Sequence, residues 1–252
     1  MRVATFNILH GRSPADDLVD VDRFAAAVKT LDADVLALQE VDRNQPRSAN
    51  ADLTSVAAEA MGAVEHRFVA ALSGSPGATW MAATGDEQPD SAAYGIALLS
   101  RHPVLSWEVV RLGSTPTRVP MWFRGSRRPE LVRDEPRVAV AARVETPRGE
   151  LTVVNTHLSF VSWWGRHQLR TVMRSLDGTE PMLLVGDLNM TLPKARSITG
   201  LTPLVRCATF PAPEPREQLD HVLARGDVGT VTGCSAPLLP LSDHRALTVD
   251  LA

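Results

Sequence analysis

The sequence predicts an α/β fold, and three observations carry the prediction. A helix-period segment over residues 21–31 leads into the apolar strand Val35-Leu36-Ala37-Leu38, which ends in Gln39-Glu40. The same succession returns late in the chain, where a helix over 165–176 precedes Met182-Leu183-Leu184-Val185 and then Gly186-Asp187. The chain also has 252 residues, 44% of them hydrophobic, with no long polar or Gly/Ser linker. That length buries a large core, so one unit over residues 1–252 is expected rather than two small ones.

The elements follow in order. Val3-Ala4-Thr5-Phe6-Asn7-Ile8-Leu9 reads as a strand, followed by the polar turn His10-Gly11-Arg12-Ser13-Pro14. Val21, Phe24, Val28 and Leu31 repeat at helical spacing, and Asp32-Ala33-Asp34 breaks the pattern. The strand from Val35 has no polar alternation, as expected of a strand covered on both faces. A helix fits residues 53–61 and is closed by Gly62; strands follow near 67–72, 94–100 and 107–112. Residues 73–90 read as an exposed loop, and 113–136, with four prolines, as a second irregular stretch. A hairpin joins strands 138–145 and 151–158 through Thr146-Pro147-Arg148-Gly149. Beyond the 165–176 helix and the strand at 182–185, further strands are expected near 218–224, 228–234 and 246–251.

The bulk numbers limit the partners. A net charge of −3 lacks the basic excess of a protein that grips nucleic acid by charge alone, but it suits a chain that gathers carboxylates around a metal. No charged segment followed by a long apolar run marks a signal peptide, and no apolar run reaches membrane-spanning length. A cytoplasmic protein is therefore expected, with Cys207 and Cys234 as two buried free thiols in preference to a disulfide.

Polar residues gather at strand ends, where α/β folds place ligand sites. In Gly186-Asp187-Leu188-Asn189, alternation puts Asp187 and Asn189 toward one pocket and Leu188 toward the core. A carboxylate can bind a hard cation or take a proton from water, and an amide can donate to a phosphate oxygen. By the same alternation Asn155 and His157 share a face, and a histidine there can stabilise a phosphoryl group or shuttle a proton. Glu40, ending a buried strand, needs a partner or a cation; magnesium often uses only one or two carboxylates. Asn7 occupies the corresponding place on the first strand. Near the end, Asp220 and His244 can pair, the aspartate fixing the tautomer of the imidazole, while His221 packs. Each of these taken singly also has a bland reading as a turn, a cap or a satisfied core residue.

Taken together, Thr5-Phe6-Asn7, Gln39-Glu40, Tyr94-Gly95-Ile96-Ala97-Leu98-Leu99-Ser100-Arg101, Asn155-Thr156-His157-Leu158, Gly186-Asp187-Leu188-Asn189, Leu219-Asp220-His221 and Ser242-Asp243-His244 resemble the endonuclease/exonuclease/phosphatase superfamily, in its order and over nearly the whole chain. Within it the chain is most similar to the short bacterial metal-dependent hydrolases. The resemblance implies a four-layer α/β/β/α sandwich of two mixed sheets flanked by helices. It implies Mg²⁺ or Mn²⁺ on Glu40, with Asn7 and Asp243 beside it. It also implies that Asp187 orients or deprotonates water and that Asn189 holds a phosphate oxygen. His157 and His244 would stabilise the transition state, with Asp220 orienting His244. Whether the aspartate or the histidine is the base stays open.

The expected substrate is a phosphodiester or phosphomonoester in a small or lipid-like molecule. A nuclease and a non-catalytic module of the same fold are the alternatives. Arg118-Val119-Pro120-Met121-Trp122-Phe123-Arg124-Gly125-Ser126-Arg127-Arg128 and Ser159-Phe160-Val161-Ser162-Trp163-Trp164-Gly165-Arg166 contain three of the five tryptophans. Trp beside Arg suits a membrane interface, a lipid head group or stacked bases; the plainer account packs the aromatics under a loop with Arg in solvent. Arg47, Arg124, Arg127 and Arg128 are candidate phosphate contacts. Tyr94, Asn155 and Trp163 are further candidates for the substrate site.

Overall fold

In the computed structural model, which describes residues 1–121 and 128–252, strand β1 (Arg2–Asn7) lies parallel to β2 (Val35–Arg43), with helix α1 (Val21–Leu31) crossing between them. The α1 start is set by Asp20, whose carboxylate accepts from Arg23 N–H, and its end by Asp32 in the left-handed region at φ 44°. Helix α2 (Leu53–Met61) is capped in the same way by Asp52 and closed by Gly62. Next come β3 (Glu65–Gly74), β4 (Trp80–Ala82), β5 (Ala93–Ser100), β6 (Val104–Leu112), β7 (Val119–Met121), β8 (Glu130–Val132), β9 (Arg137–Thr146) and β10 (Gly149–His157). The chain finishes with α3 (Ser162–Ser175), β11 (Met182–Asp187), α4 (Leu192–Thr199), β12 (Thr202–Pro203), β13 (Asp220–Arg225), β14 (Val231–Ser235) and β15 (Leu247–Leu251).

Among the described residues, the strands form a seven-stranded sheet ordered β14-β15-β1-β2-β5-β3-β4 and a six-stranded sheet ordered β12-β13-β11-β10-β9-β6, with β7-β8 as a separate pair. Both large sheets are mixed: β1–β2 and β10–β11 are parallel, and their other pairings are antiparallel. Three apolar clusters account for the layering. Val35, Ala37, Ile96 and Leu98 of one sheet meet Val140, Val153, Leu183 and Val222 of the other in a central core. On the outer face of the larger sheet, Phe6, Leu36 and Leu38 pack on Phe24, Val28 and Leu53 of α1 and α2. On the outer face of the smaller sheet, Val154, Met182 and Leu184 pack on Leu169 and Val172 of α3 and Ala195 of α4. Alternate residues of one strand thus enter different cores, which is why Val35 to Leu38 shows no polar alternation. The result is the expected α/β/β/α sandwich.

Several boundaries differ from the sequence reading. The first strand stops at Asn7, because Leu9 and His10 adopt φ 46° and 47° in a short 3-10 turn. The expected loop over 73–90 contains β4, and the stretch 113–136 contains the β7–β8 ladder. Helix α4 had no counterpart in the sequence reading; eight residues with Pro193 at its start give little periodic signal. Cys207 and Cys234 are free thiols, but neither is buried as expected: Cys207 is half-buried and Cys234 is exposed. Among the described residues, no helix is long and apolar enough to cross a membrane.

Candidate active site

Strand register brings the first group together. Pairing of β10 with β11 sets His157 opposite Asp187, and pairing of β11 with β13 sets Asp187 opposite Asp220. The β10 and β11 backbones approach closely because Gly186, at φ 132°, has no side chain; a Cβ there would lie 2.0 Å from the Thr156 carbonyl oxygen. From the other sheet, Asn7 reaches across at the end of β1. Its Nδ2 donates to Asp187 Oδ2 at 3.0 Å and to Glu40 Oε1 at 3.1 Å, while its Oδ1 accepts from Leu9 N–H.

Glu40 reaches this point through irregular backbone. The β2–β5 register shifts between Leu38 and Val41, and Glu40 adopts φ 56°. A non-glycine residue held in the left-handed region of a bulge is strained, and such strain gathers at functional sites. Glu40 is half-buried. Burial raises its carboxyl pKa; the Asn7 hydrogen bond and Arg137 pull against that, and Asp243 adds to the rise.

Asp187 is the hub. Its Oδ1 accepts from Asn189 N–H at 2.9 Å, and its Oδ2 lies 3.6 Å from His157 Nε2 and 3.8 Å from His244 Nε2. Burial, with the Asp220 charge, raises its pKa to about 7 against the opposing His244 and Asn7. On one side His244 Nδ1 pairs with Asp220 Oδ2 at 2.9 Å. Burial lowers the His244 pKa, but the hydrogen bond and charge of Asp220, with Asp187 and Asp243, outweigh it and bring it to about 10. On the other side His157 is driven well below the ordinary value, by burial first and then by Arg137 and His244. Arg137 Nη1 lies 3.1 Å from His157 Nδ1, and a guanidinium can only donate. The two histidines therefore differ in charge: His244 is an imidazolium and His157 a neutral imidazole.

The remaining expected residues divide. Asn189 meets the site, with Nδ2 donating to the Leu158 carbonyl at 2.9 Å and lying 3.2 Å from His157 Nε2. It does so from a left-handed turn at φ 49° beyond the end of β11, not by the strand alternation expected. Asp243 is half-buried and near enough to Glu40 and His244 to act on both through its charge. Tyr94 is buried, its ring 5.8 Å from that of Trp80 and 5.5 Å from the Arg47 guanidinium. Arg47 is half-exposed and holds Asp42 with two hydrogen bonds of 2.8 Å.

Asn155 is placed differently from the expectation of a substrate contact. It is fully buried beneath His157, donating to the Leu38 and Ala97 carbonyls at 2.9 and 2.8 Å and accepting from Gln39 Nε2 at 2.7 Å. Its amide ties the two sheets together. Trp163 does not pack under a loop; it is 44% exposed, with its ring edge-on to Trp164. Arg124 and Arg127 lie outside the described residues, and Arg128 is exposed. His221 packs as expected, buried against the Met190 carbonyl.

Sequence reasoning missed Arg137. It is 7% exposed and pairs with buried Asp134 at 3.2 Å. The available signal was an arginine heading a strand whose other early positions are apolar. His10 was also missed; burial, with Arg47, lowers its pKa to about 4.

The donor chemistry fits a hard divalent cation. Glu40 and Asp187 offer carboxylates within one amide of each other, and Asp220 Oδ1 is buried without a hydrogen-bond partner. Donor atoms of Asp187, Asp220 and His244 also lie within 4.8 Å of one another, although His244 Nδ1 is committed to Asp220. Oxygen ligands of this kind select Mg²⁺-like over thiophilic ions.

Known proteins share this sequence pattern and fold. Residues 4–244 match the endonuclease/exonuclease/phosphatase family. A solved endonuclease/exonuclease/phosphatase from Beutenbergia cavernae is 25% identical, with a TM-score of 0.68, covering 100% of this chain and 71% of its own. Two more distant structures share the fold over 100% of this chain and 99% of theirs. The Bacteroides thetaiotaomicron mannosyl-6-phosphatase is 15% identical with a TM-score of 0.68. Sphingomyelinase C from Streptomyces griseocarneus is 17% identical with a TM-score of 0.65. No functionally curated protein matches the sequence. With the family match spanning nearly its whole length, the chain belongs to the endonuclease/exonuclease/phosphatase family.

Proposed function

We propose that the protein is a divalent-metal-dependent hydrolase of phosphate esters, acting on a small or lipid-like molecule. The observation that carries this reading is the Asn7 bridge between Glu40 and Asp187, set across from a charged His244. Family members are generally phosphoric ester hydrolases, and their usual dependence on divalent metals suits this donor set. Glu40, Asn7 and Asp243 would hold Mg²⁺ or Mn²⁺, which supplies positive charge for the phosphoryl oxygens and acidifies a bound water.

The protein's own groups do the rest. Asp187, poised at about 7, accepts the proton of the attacking water. His244, held as an imidazolium by Asp220, donates to a phosphoryl oxygen and neutralises its growing charge. His157, kept neutral with its Nδ1 accepting from Arg137, offers the Nε2–H as a donor. Asn189 is positioned to donate to a phosphate oxygen, since its turn places it beside both His157 and Asp187.

Two observations favour a small or lipid-like substrate over nucleic acid. Among the described residues, two cations that act on Glu40 by charge are already paired, Arg47 with Asp42 and Arg137 with Asp134. An apolar groove of about 710 Å³, lined by Pro14, Ala15, Pro213, Leu238 and Leu239, runs directly into Ser242 and Asp243. Exposed Trp163 and Phe160, just after His157, would suit peripheral contact with a lipid surface.

The test is a screen of phosphorylated metabolites, phospholipids and oligonucleotides with Mg²⁺ and Mn²⁺. Turnover of a metabolite or lipid ester is expected. Turnover confined to oligonucleotides would replace this reading with a nuclease, and silence on all three classes would leave the non-catalytic module.

A further inference from the structure

We propose that the protein carries a second, non-catalytic site for a phosphate-type oxyanion at the edge of β3. Arg43 of β2, Arg67 of β3 and Arg111 of β6 line one cavity of about 440 Å³. None of the cavity's lining residues belongs to the Asp187–His244 centre. Among the described residues, none of the three guanidinium groups has a carboxylate within ion-pair distance.

Each guanidinium is nevertheless held in place. Arg43 lies 4.8 Å above the Phe68 ring and Arg67 lies 5.9 Å from the centre of the Trp107 ring. A guanidinium held by the face of a ring spends no N–H group on that contact and keeps its donors for an anion. Arg111 is fixed through Nη1, which donates to the Ala70 and Ala83 carbonyls, both at 3.1 Å. Arg43 donates from Nη2 to the Gln88 carbonyl at 3.3 Å, and its Nε is buried without a hydrogen-bond partner.

The surroundings leave that charge uncompensated. Glu87 is the single acid among the lining residues, and its carboxylate accepts from the backbone N–H groups of Thr84 and Gly85 in its own turn. Gly85, at φ 106°, gives the third arginine its room, since a Cβ there would come within 2.7 Å of Arg111 Nη2. Three positioned guanidinium groups with free N–H edges are the donor set for a tetrahedral oxyanion, which accepts paired hydrogen bonds from each. Inorganic phosphate and the phosphate group of an organic monoester share that chemistry.

The test is an NMR titration of the full chain without metal, following the Gly85 and Phe68 backbone amides, which report this cavity and not the catalytic centre. Inorganic phosphate is titrated in one arm and glycerol 3-phosphate in the other. Saturable shifts are expected in the native protein, with the apparent Kd raised about tenfold or more in Arg67→Gln/Arg111→Gln. Arg67→Gln alone removes a guanidinium that makes no hydrogen bond among the described residues, so the fold is spared while affinity still falls severalfold. Equal affinity in both arms identifies the free ion as ligand, and tighter glycerol 3-phosphate identifies an esterified phosphate; both uphold the site. Shifts that are absent, or that follow ionic strength alone and persist unchanged in the variants, overturn it.

Discussion

Asp220 Oδ2 lies 2.9 Å from His244 Nδ1 inside the protein, so the proton on His244 is held by a carboxylate that water cannot reach. Across Asp187, His157 meets the Arg137 guanidinium at 3.1 Å, and the same kind of side chain is kept neutral. Opposed environments of this kind assign different tasks to chemically identical groups.

The first prediction concerns stability against pH. His244 has its folded pKa raised from 6.5 to about 10, so its contribution is fully present below pH 6.5 and is lost as pH rises through about 10. In Asp220→Asn that raising partner is gone. The variant should be less stable at pH 6 by about 3 kcal/mol, with a flatter decline above it. Urea unfolding at several pH values checks this; parallel curves for the two proteins would contradict it.

Asp187→Asn should separate activity from stability. Losing the proton acceptor should lower kcat/KM by about 10²–10⁴-fold. The metal-free variant should unfold later than the native protein above pH 7, because Asp187 has its pKa raised to about 7 and its buried charge then opposes folding. Thermal unfolding at pH 8 reads the second effect.

In the native enzyme, activity should follow a bell. It rises as Asp187 ionises, with the acid limb at or below about pH 7 once a cation is bound, and falls as His244 loses its proton near pH 10. The alkaline limb should move to lower pH in Asp220→Asn. An unmoved limb would remove His244 from the reaction.

Glu40 should trade strain for binding. Glu40→Ala should weaken Mg²⁺ binding far more than folding, and calorimetric titration with unchanged Mg²⁺ affinity would refute the ligand assignment. Glu40→Gly relieves the backbone at φ 56° and should gain about 1 kcal/mol in the metal-free protein while losing the same affinity.

Asn155 and Arg47 should both matter to stability, because each satisfies buried polar groups. Asn155→Ala removes the side-chain donor to the buried Leu38 and Ala97 carbonyls and one acceptor of the Gln39 amide, and should cost about 2–4 kcal/mol of stability. Arg47→Ala leaves the fully buried Asp42 carboxylate with Ser48 as its remaining side-chain donor, and should cost about 3 kcal/mol, read by urea unfolding.

These residues also show what the sequence makes legible. His157 and Gly186-Asp187 sit at strand ends, so local pattern and chain order suffice to bring them together; Gln39-Glu40 was expected to end its strand too, but β2 continues to Arg43 and a bulge presents Glu40. Helices α1 and α2 were readable because Val21, Phe24, Val28 and Leu31 repeat at helical spacing and Gly62 closes the second. Surroundings were not readable. Asn155 and His157 do share a face, but one ties the two sheets together while the other meets Asp187, and alternation does not distinguish those places. Arg137 was hidden for a related reason: spacing does not show that the head of β9 turns inward to meet Asp134 and His157.

The central claim is that Asp187 and the Glu40–Asn7 pair form one metal-dependent hydrolytic centre. The most direct measurement is p-nitrophenol release from bis-p-nitrophenyl phosphate by the native protein and by Asp187→Ala, with Mg²⁺, with Mn²⁺ and with chelator. The account predicts release with metal from the native protein, none with chelator, and none from the variant. Equal release from the variant, or release indifferent to chelator, would contradict it.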